Sequence, residues 1–374
     1  MVGGGPGAFI GAVHRAAAAL DGEFSLVAGA FASTPERTRT QGEALGLDPA
    51  RVYDTWEAMA TKEARLGPDE RVEVVSIVTP NHLHVPVARA FLDAGIHVIC
   101  DKPLATSVDE AETLVRLVES TRLVFALTHN YTGYPMVKEA RELVRTGRLG
   151  AIRKVVAEYP QGWLHEPVEA SGQKQAEWRQ DPDRAGPSSA LADIGSHVDN
   201  LVRYVTGLSI ESLCADLTSF VEDRVLEDDA SLLVRFKGGA RGVYATSQVA
   251  VGEENGLRVR VYGEKAGLDW SQETPNRLRV LSPGGPVELR TRGSPYLSET
   301  SLDNTRLPPG HPEGFIEAFA NVYRNAGRTI GAVLSGQAPD ASDLDFPSVH
   351  EGLRGMRFIE AALRSSREQA WVSL

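Results

Sequence analysis

The stretch "VEVVSIVTPNHLHVPVARAFLDAGIHVICDKPLA", residues 72–105, sets two aliphatic runs on either side of a segment with helical periodicity. The runs 73–80 and 96–100 are nearly continuously apolar, as strands buried on both faces of a parallel sheet are. Between them "HVPVARAFLDAG" repeats its apolar residues at helical steps and stops on a glycine. Strand, helix and strand in that order predict a parallel crossover unit.

Working outward, "FSLVAGAFA" (Phe24–Ala32) and "LVFALTHN" (Leu123–Asn130) read as further strands. "ERTRTQGEALG" and "SVDEAETLVRLVES" read as helices, the second with a serine cap. Residues 1–130 therefore predict an α/β domain, a doubly wound parallel sheet of Rossmann type. From Tyr131 the strands lengthen: "AIRKVVAEY", "DASLLVRFKGGARGVYATSQVAV" with a Gly-Gly turn, and "LRVRVYGEKAGLDW" with another Gly-bounded turn. Residues 131–345 predict an α+β domain on a large, mostly antiparallel sheet, with a long irregular excursion between Ser282 and Pro312. Residues 346–374, containing "VHEGLRGMRFIEAALRSS", predict an amphipathic C-terminal helix and tail packing back on the body.

A chain of 374 residues exceeds what one hydrophobic core usually serves, in keeping with this division. The formal charge of −11, without long blocks of one sign, argues against nucleic acid as a partner. No apolar run approaches a membrane span and no charged leader precedes a cleavage site, so a cytoplasmic protein without membrane association is expected. Cys100 and Cys214 stand far apart, without CxxC or matching histidine spacing. They read as small buried hydrophobes, and no metal site is expected.

"MVGGGPGAFIG" opens the chain ahead of the helical "AVHRAAAAL". Read from Gly3 it is G-x-G-x-x-A, ending on Ala8; read from Gly5, one residue too many precedes Gly11. Glycines in such a turn admit a pyrophosphate to the helix start, so Gly3, Gly5, Pro6, Gly7, Ala8, Phe9 and Ile10 are expected to cradle a dinucleotide. Only Met1 and Val2 precede the glycines, and the native chain is expected to begin earlier. Where an acid normally holds the ribose hydroxyls of NAD, the sequence has "ASTPER". Ser33 and Thr34 with Arg37 nearby suit a 2′-phosphate, giving NADP a slight edge over NAD.

"TPNHLH" and "CDKP" end successive strands, where open α/β sheets bind ligands. Thr79, Pro80, Asn81, His84, Asp101, Lys102 and Asn130 are accordingly expected near the cofactor. Asn81 and His84 read alternatively as a helix cap and a satisfied loop histidine. In "SALADIGSHVDNLVRYVTG" Leu191, Ile194, Val198, Leu201, Val202 and Val205 form one apolar stripe, ended by Gly207. Asp193, His197, Asn200 and Tyr204 then fall on the opposite side. The acid and imidazole one turn apart read either as a capped, solvated helix start or as a proton acceptor with a carboxylate that tunes it.

With its Gly-rich opening, "TPNHLH", "CDKPLA", "AEWRQDPDRAG" and "DIGSH" in that order, nearly the whole chain resembles the glucose-fructose oxidoreductase/inositol dehydrogenase (Gfo/Idh/MocA) family. Asp101 stands where the family usually has Glu. The resemblance implies a Rossmann domain, a C-terminal domain whose open sheet makes subunit contacts in a homodimer or homotetramer, and hydride transfer on sugars, cyclitols or related polyols. It implies Lys102, Asp193 and His197 as the catalytic set, with Lys102 between cofactor and substrate. Trp178 and Arg179 suit a sugar ring and its hydroxyls, or read as a packed Trp beside a surface Arg. Tyr131 and Gln161, with His165 and His311, lie on segments able to line the same cleft.

Three functions compete. The favoured one is an NAD(P)-dependent dehydrogenase of a secondary alcohol in a sugar, glycoside or inositol. The second keeps the cofactor tightly bound and oxidises only transiently, for elimination, epimerisation or glycoside cleavage. The third is a non-catalytic nucleotide sensor, which would need no proton acceptor.

Overall fold

The computed structural model describes residues 1–374. The chain divides into two compact units, Met1–Asn130 with Phe319–Leu353 and Tyr131–Ala318 with Arg354–Leu374.

In the first unit β1 (Val2–Gly3), β2 (Val74–Val78), β3 (His97–Cys100) and β4 (Phe125–Leu127) lie side by side in that order, all parallel. Helices α1 (Phe9–Leu20), α2 (Pro35–Ala44), α3 (Trp56–Glu63), α4 (His84–Asp93) and α5 (Val108–Thr121) separate the strands in the chain. Ser107 caps α5, accepting from Glu110 N at 3.2 Å. The segment Phe24–Ala32, expected as a strand, pairs only through isolated parallel bridges, Gly29 to Val52 and Ala30 to Val2. Its neighbour β1 spans two residues, so a ladder has nothing to extend along. The bridges still complete a doubly wound order, Val52, Gly29, β1, β2, β3, β4, whose direction of winding reverses between β1 and β2. Ligands of such sheets lie outside the carboxyl ends at that reversal.

In the second unit follow α6 (Pro135–Arg145), β5 (Ile152–Pro160), α7 (Lys174–Arg179), α8 (Pro182–Ala185), a π turn (Leu191–Gly195) and α9 (Ser196–Thr206). Then come β6 (Ile210–Thr218), β7 (Asp229–Phe236), β8 (Arg241–Ser247), β9 (Arg258–Gly263), β10 (Gly267–Ser271), β11 (Arg277–Leu281) and β12 (Glu288–Thr291). With the terminal β13 (Val372–Ser373) they make a nine-stranded sheet in the order β12-β11-β10-β9-β5-β8-β7-β6-β13. Its only parallel neighbours are β5 and β8. β7 alternates buried and exposed residues along its length, the pattern of a strand with one covered face. On the covered face, Val137 and Ala140 of α6 and Leu201 and Val205 of α9 meet Val259, Leu268 and Trp270 of the sheet. The excursion 282–312 is less irregular than expected, since it holds β12 and a short helix, α10 (Glu299–Asp303). Arg292, buried, fastens it to Asn276 Oδ1, Leu307 O and Glu313 Oε1, each at 2.7–2.8 Å.

Helices α11 (Phe315–Leu334) and α12 (Val349–Glu368) complete the chain. Phe319–Leu353 groups with the first unit, so the two units divide within α11 and α12. Tyr323 of α11 hydrogen-bonds His14 Nδ1 of α1 (2.7 Å) and Ser76 Oγ of β2 (2.8 Å), and Phe319 packs on the His14 ring at 4.8 Å. Cys100 is buried as expected, whereas Cys214 is partly exposed on β6. No helix is long and apolar enough to cross a membrane.

Candidate active site

In the first unit the glycine loop leads from β1 to α1. Ala8 is the N-cap residue, extended and without a side-chain cap, so no side chain occupies the first amide groups of α1. The close-packing glycine is Gly11 and not Ala8: a Cβ at Gly11 would stand 2.4 Å from Gly4 Cα. The loop between the paired glycines and this contact is therefore longer than the G-x-G-x-x-A spacing assumed. Pro6 and Gly7 occupy the added length, and Gly7 has a φ of +80° with open space around it. Ile10 packs against Met1, Phe31 and Val78 and is a core residue, whereas Phe9 is two-thirds exposed. Arg37 donates from Nη2 to Pro6 O (3.3 Å), which ties its guanidinium to the glycine loop. Thr34 is the N-cap residue of α2 but makes no side-chain cap bond.

At the carboxyl ends of the next strands, Thr79 Oγ1 and Asn130 Nδ2 are buried without a hydrogen-bond partner. Unsatisfied buried polar atoms at this end of the sheet, with an uncapped helix start, fit a dinucleotide. Asn81, buried, begins the turn ahead of α4. His84 is fully enclosed, with Nδ1 2.7 Å from Pro103 O and Nε2 3.0 Å from Thr79 O. It braces the turn after β2 against the loop after β3, and both ring nitrogens are taken by protein; burial pushes its pKa down. Asp101 Oδ1 accepts from Lys102 N (2.9 Å) and Thr128 Oγ1 (3.1 Å), which shapes the loop that carries Lys102.

In the second unit, Glu227 closes the start of the helix that bears the acid and the imidazole. Its Oε1 accepts from Ser188 Oγ (2.6 Å), Ser189 N (3.0 Å) and Leu191 N (3.0 Å). An anion among free amides at a helix start is favourable. The π turn Leu191–Gly195 then inserts extra backbone before α9, so the regular face predicted for Asp193, His197, Asn200 and Tyr204 is broken. Tyr204 instead faces α6, accepting from Lys138 Nζ (3.2 Å) under the Arg141 guanidinium.

Asp193 Oδ2 accepts from Arg179 Nε (3.1 Å) and Gln248 Nε2 (2.8 Å). The Arg179 guanidinium lies 4.3 Å from the Trp178 ring centroid and 5.9 Å from that of Trp163, and also donates to Gln175 Oε1 (2.7 Å). Arg179 is thus committed chiefly to Asp193 and to the helix it ends. The buried His197 ring meets Tyr131 edge-on at 4.7 Å. The Tyr131 and Tyr159 hydroxyls bond each other, Tyr159 donates to Asn255 Oδ1 (2.7 Å), and Gln161 Nε2 donates to the same oxygen (2.8 Å). Trp163 Nε1 donates to Gln161 Oε1 (3.1 Å), which closes the set. Burial pushes both tyrosine hydroxyls upward, so they are neutral donors.

Tyr131, Gln161, Trp178, Arg179, Asp193 and His197 are therefore linked within the second unit. His165 and His311 stay outside the set; His165 is exposed and bound to Gly162 O, and His311 is exposed on its loop. Tyr159, Trp163, Glu227, Gln248 and Asn255 escaped the sequence reading. The partners of Tyr159, Glu227, Gln248 and Asn255 lie on distant segments, and Trp163 enters only through its neighbour Gln161, so no spacing rule marks them.

Residues 1–144 match the family profile "Oxidoreductase family, NAD-binding Rossmann fold", and residues 137–269 match "GFO/IDH/MocA C-terminal domain". The uncharacterized oxidoreductase YfiI of Bacillus subtilis is 35% identical, over 100% of this chain and 95% of that protein. Levoglucosan dehydrogenase of Pseudarthrobacter phenanthrenivorans is 26% identical, over 100% and 97%. An inositol dehydrogenase homolog from Azotobacter vinelandii, solved with NAD+, is 39% identical and superposes with a TM-score of 0.95, covering 100% of this chain and 96% of that one. The same homolog was solved with NADH and myo-inositol.

Proposed function

The chain belongs to the GFO/IDH/MocA oxidoreductase family, and from that premise we propose that it oxidises a secondary hydroxyl of an inositol, sugar or glycoside with Lys102, Asp193 and His197 as its catalytic residues. A bound nicotinamide supplies the hydride acceptor. His197 takes the hydroxyl proton as the carbon gives up its hydride, so the alcohol becomes a ketone and no further oxidant is needed. The Lys102 ammonium steadies the charge that builds on the oxygen. Asp193, kept anionic by Arg179 and Gln248, orients the hydroxyl and balances the imidazolium.

The observation that carries this reading is the paired environment of Asp193 and His197: an acid with two donors on one oxygen, and an imidazole walled by a tyrosine ring. A capped, solvated helix start would need neither. The myo-inositol complex of the Azotobacter vinelandii homolog and the name of levoglucosan dehydrogenase support a cyclic polyol as substrate class.

At the adenosine end, Ser33, Thr34 and the loop-bound Arg37 favour NADP+ over NAD+, since the position that normally carries the ribose-binding acid holds small hydroxyls and the first acid, Glu36, comes only beside Arg37 in the first turn of α2. We read the uncovered sheet face, with Leu233 and Arg235 exposed, as a contact between copies in a dimer or tetramer. The test is a screen of inositols, sugars and glycosides with NAD+ and NADP+ separately, following the absorbance of reduced nicotinamide. Net reduction of dinucleotide by at least one cyclic polyol is expected; binding of dinucleotide with no net reduction by any of them would refute the dehydrogenase and leave the transient-oxidation enzyme or the sensor.

A further inference from the structure

Gln248 follows β8 and is wholly buried. Its backbone is fixed at both ends, the amide donating to Asp228 O (2.8 Å) and the carbonyl accepting from Leu164 N (3.0 Å). Its side-chain amide donates to Asp193 Oδ2 at 2.8 Å, while its own Oε1 is buried with no partner. Exchanging the amide oxygen and nitrogen would set two acceptors against each other, so the side chain is held one way round. A buried carbonyl without a donor is destabilising, and such a group calls for an explanation.

We propose that Gln248 is a positioning residue for hydride transfer: together with Arg179 it locks Asp193 in one rotamer as the charged carboxylate that serves His197. The inference rests on the dehydrogenase reading above. Two donors arrive from separate elements, Arg179 from α7 and Gln248 from the end of β8, and converge on a single oxygen. The titratable groups of the surrounding elements are Arg179, Lys174 and Glu177 of α7, His197, Tyr131, Tyr159, Glu227, Asp228, and Asp229, which pairs with Ser247 beside Gln248. Glu227 is occupied by the helix start and Asp228 by Arg224 and the amides of Phe220 and Val221, so neither competes for Gln248. Lys102 joins them in the proposed mechanism.

The test uses full-length enzyme with saturating dinucleotide and the polyol found in the screen. Gln248→Leu should lower kcat roughly ten- to a hundredfold while dinucleotide affinity stays within about twofold, because the lost bond is to a carboxylate assigned to the substrate hydroxyl and not to the nucleotide. Gln248→Glu separates positioning from packing. Protonated at low pH, the new carboxyl donates to Asp193 as the amide did, and turnover should approach wild type; as pH rises the two carboxylates oppose each other and turnover should fall. Wild-type kcat and an unchanged pH profile in Gln248→Glu would overturn the proposal. A readout without substrate keeps it distinct from the function itself. Carbon-13 titration of the Asp193 carboxyl should move to higher pH in Gln248→Leu, and an unmoved titration would sink the role of Gln248 even in an active dehydrogenase.

Discussion

Replacing Gly11 by alanine tests the glycine loop most sharply, because two physical effects of the change oppose each other. Alanine is favoured over glycine within a helix by about 1 kcal/mol, so propensity alone predicts a more stable α1. The structure predicts the reverse, since the new Cβ would stand 2.4 Å from Gly4 Cα and 3.0 Å from Gly4 O, both backbone atoms that no rotamer change can move. Carbon atoms pack best at roughly 3.5–4.0 Å, so α1 must back away by about 1 Å or more from the loop it follows. Overpacking of this kind costs about 1–3 kcal/mol, which outweighs the propensity gain over most of its range. The displacement falls on the helix start that should meet the pyrophosphate. If that cost appears in binding, NADH affinity drops roughly five- to hundredfold.

Gly7→Ala is the control. It lies in the same loop at a φ of +80° with no atom within 4 Å of a Cβ, so it meets only the left-handed penalty of about 1–2 kcal/mol. Asparagine at that position should recover most of the loss, but asparagine at Gly11 should not. NADH fluorescence titrations measure the affinities, and circular dichroism melts confirm that each variant is folded. A folded Gly11→Ala that binds NADH within about twofold of wild type would refute the close-packing argument.

Lys102→Ala or His197→Ala should lose most turnover while keeping dinucleotide affinity, and wild-type rates in both would remove them from the mechanism. Burial lowers the pKa of His14 from 6.5 to about 4, so between those values the unfolded chain binds a proton that the folded protein does not. Stability should be complete above pH 6.5 and fall by roughly 3 kcal/mol towards pH 4 from this residue alone; urea midpoints of wild type and His14→Gln compared at pH 7 and pH 5 measure it, and equal pH dependence would contradict it. Arg292→Met should destabilise by about 3–5 kcal/mol, because Glu313 would keep a buried charge without its cation. Adding Glu313→Gln should recover part of that loss in the same urea titration, since the amide oxygen can still accept from Arg306 N and Leu307 N.

What the sequence made legible follows how local each decision is. The crossover from β2 through α4 to β3 depends on apolar runs and a glycine stop within one short stretch, and it folds as read. Whether Phe24–Ala32 becomes a strand depends on how far its neighbour extends, and β1 offers two residues, so the same apolar composition yields only bridges. Gly11 was passed over because the fingerprint fixes a spacing, whereas the physical demand is an approach between two backbones that a longer loop can also satisfy. α11 shows its apolar stripe openly, but a stripe does not name its partner; His14 and Ser76, more than two hundred residues earlier in the chain, decide that it joins the first unit.

The site obeys the same logic with a sharper consequence. Asp193 and His197 could be paired by their spacing because both ride on one helical segment, but what holds an acid near a helix start in place is its neighbours. Those are Arg179, fourteen positions before it, and Gln248, fifty-five after it. Spacing therefore nominates the residues that share an element, and only the fold supplies the donors that bind Asp193. A homologue that kept the acid and imidazole but lost both donors would present the same motif with an Asp193 free to turn and to take up a proton. Its turnover, not its dinucleotide affinity, is where the difference should appear.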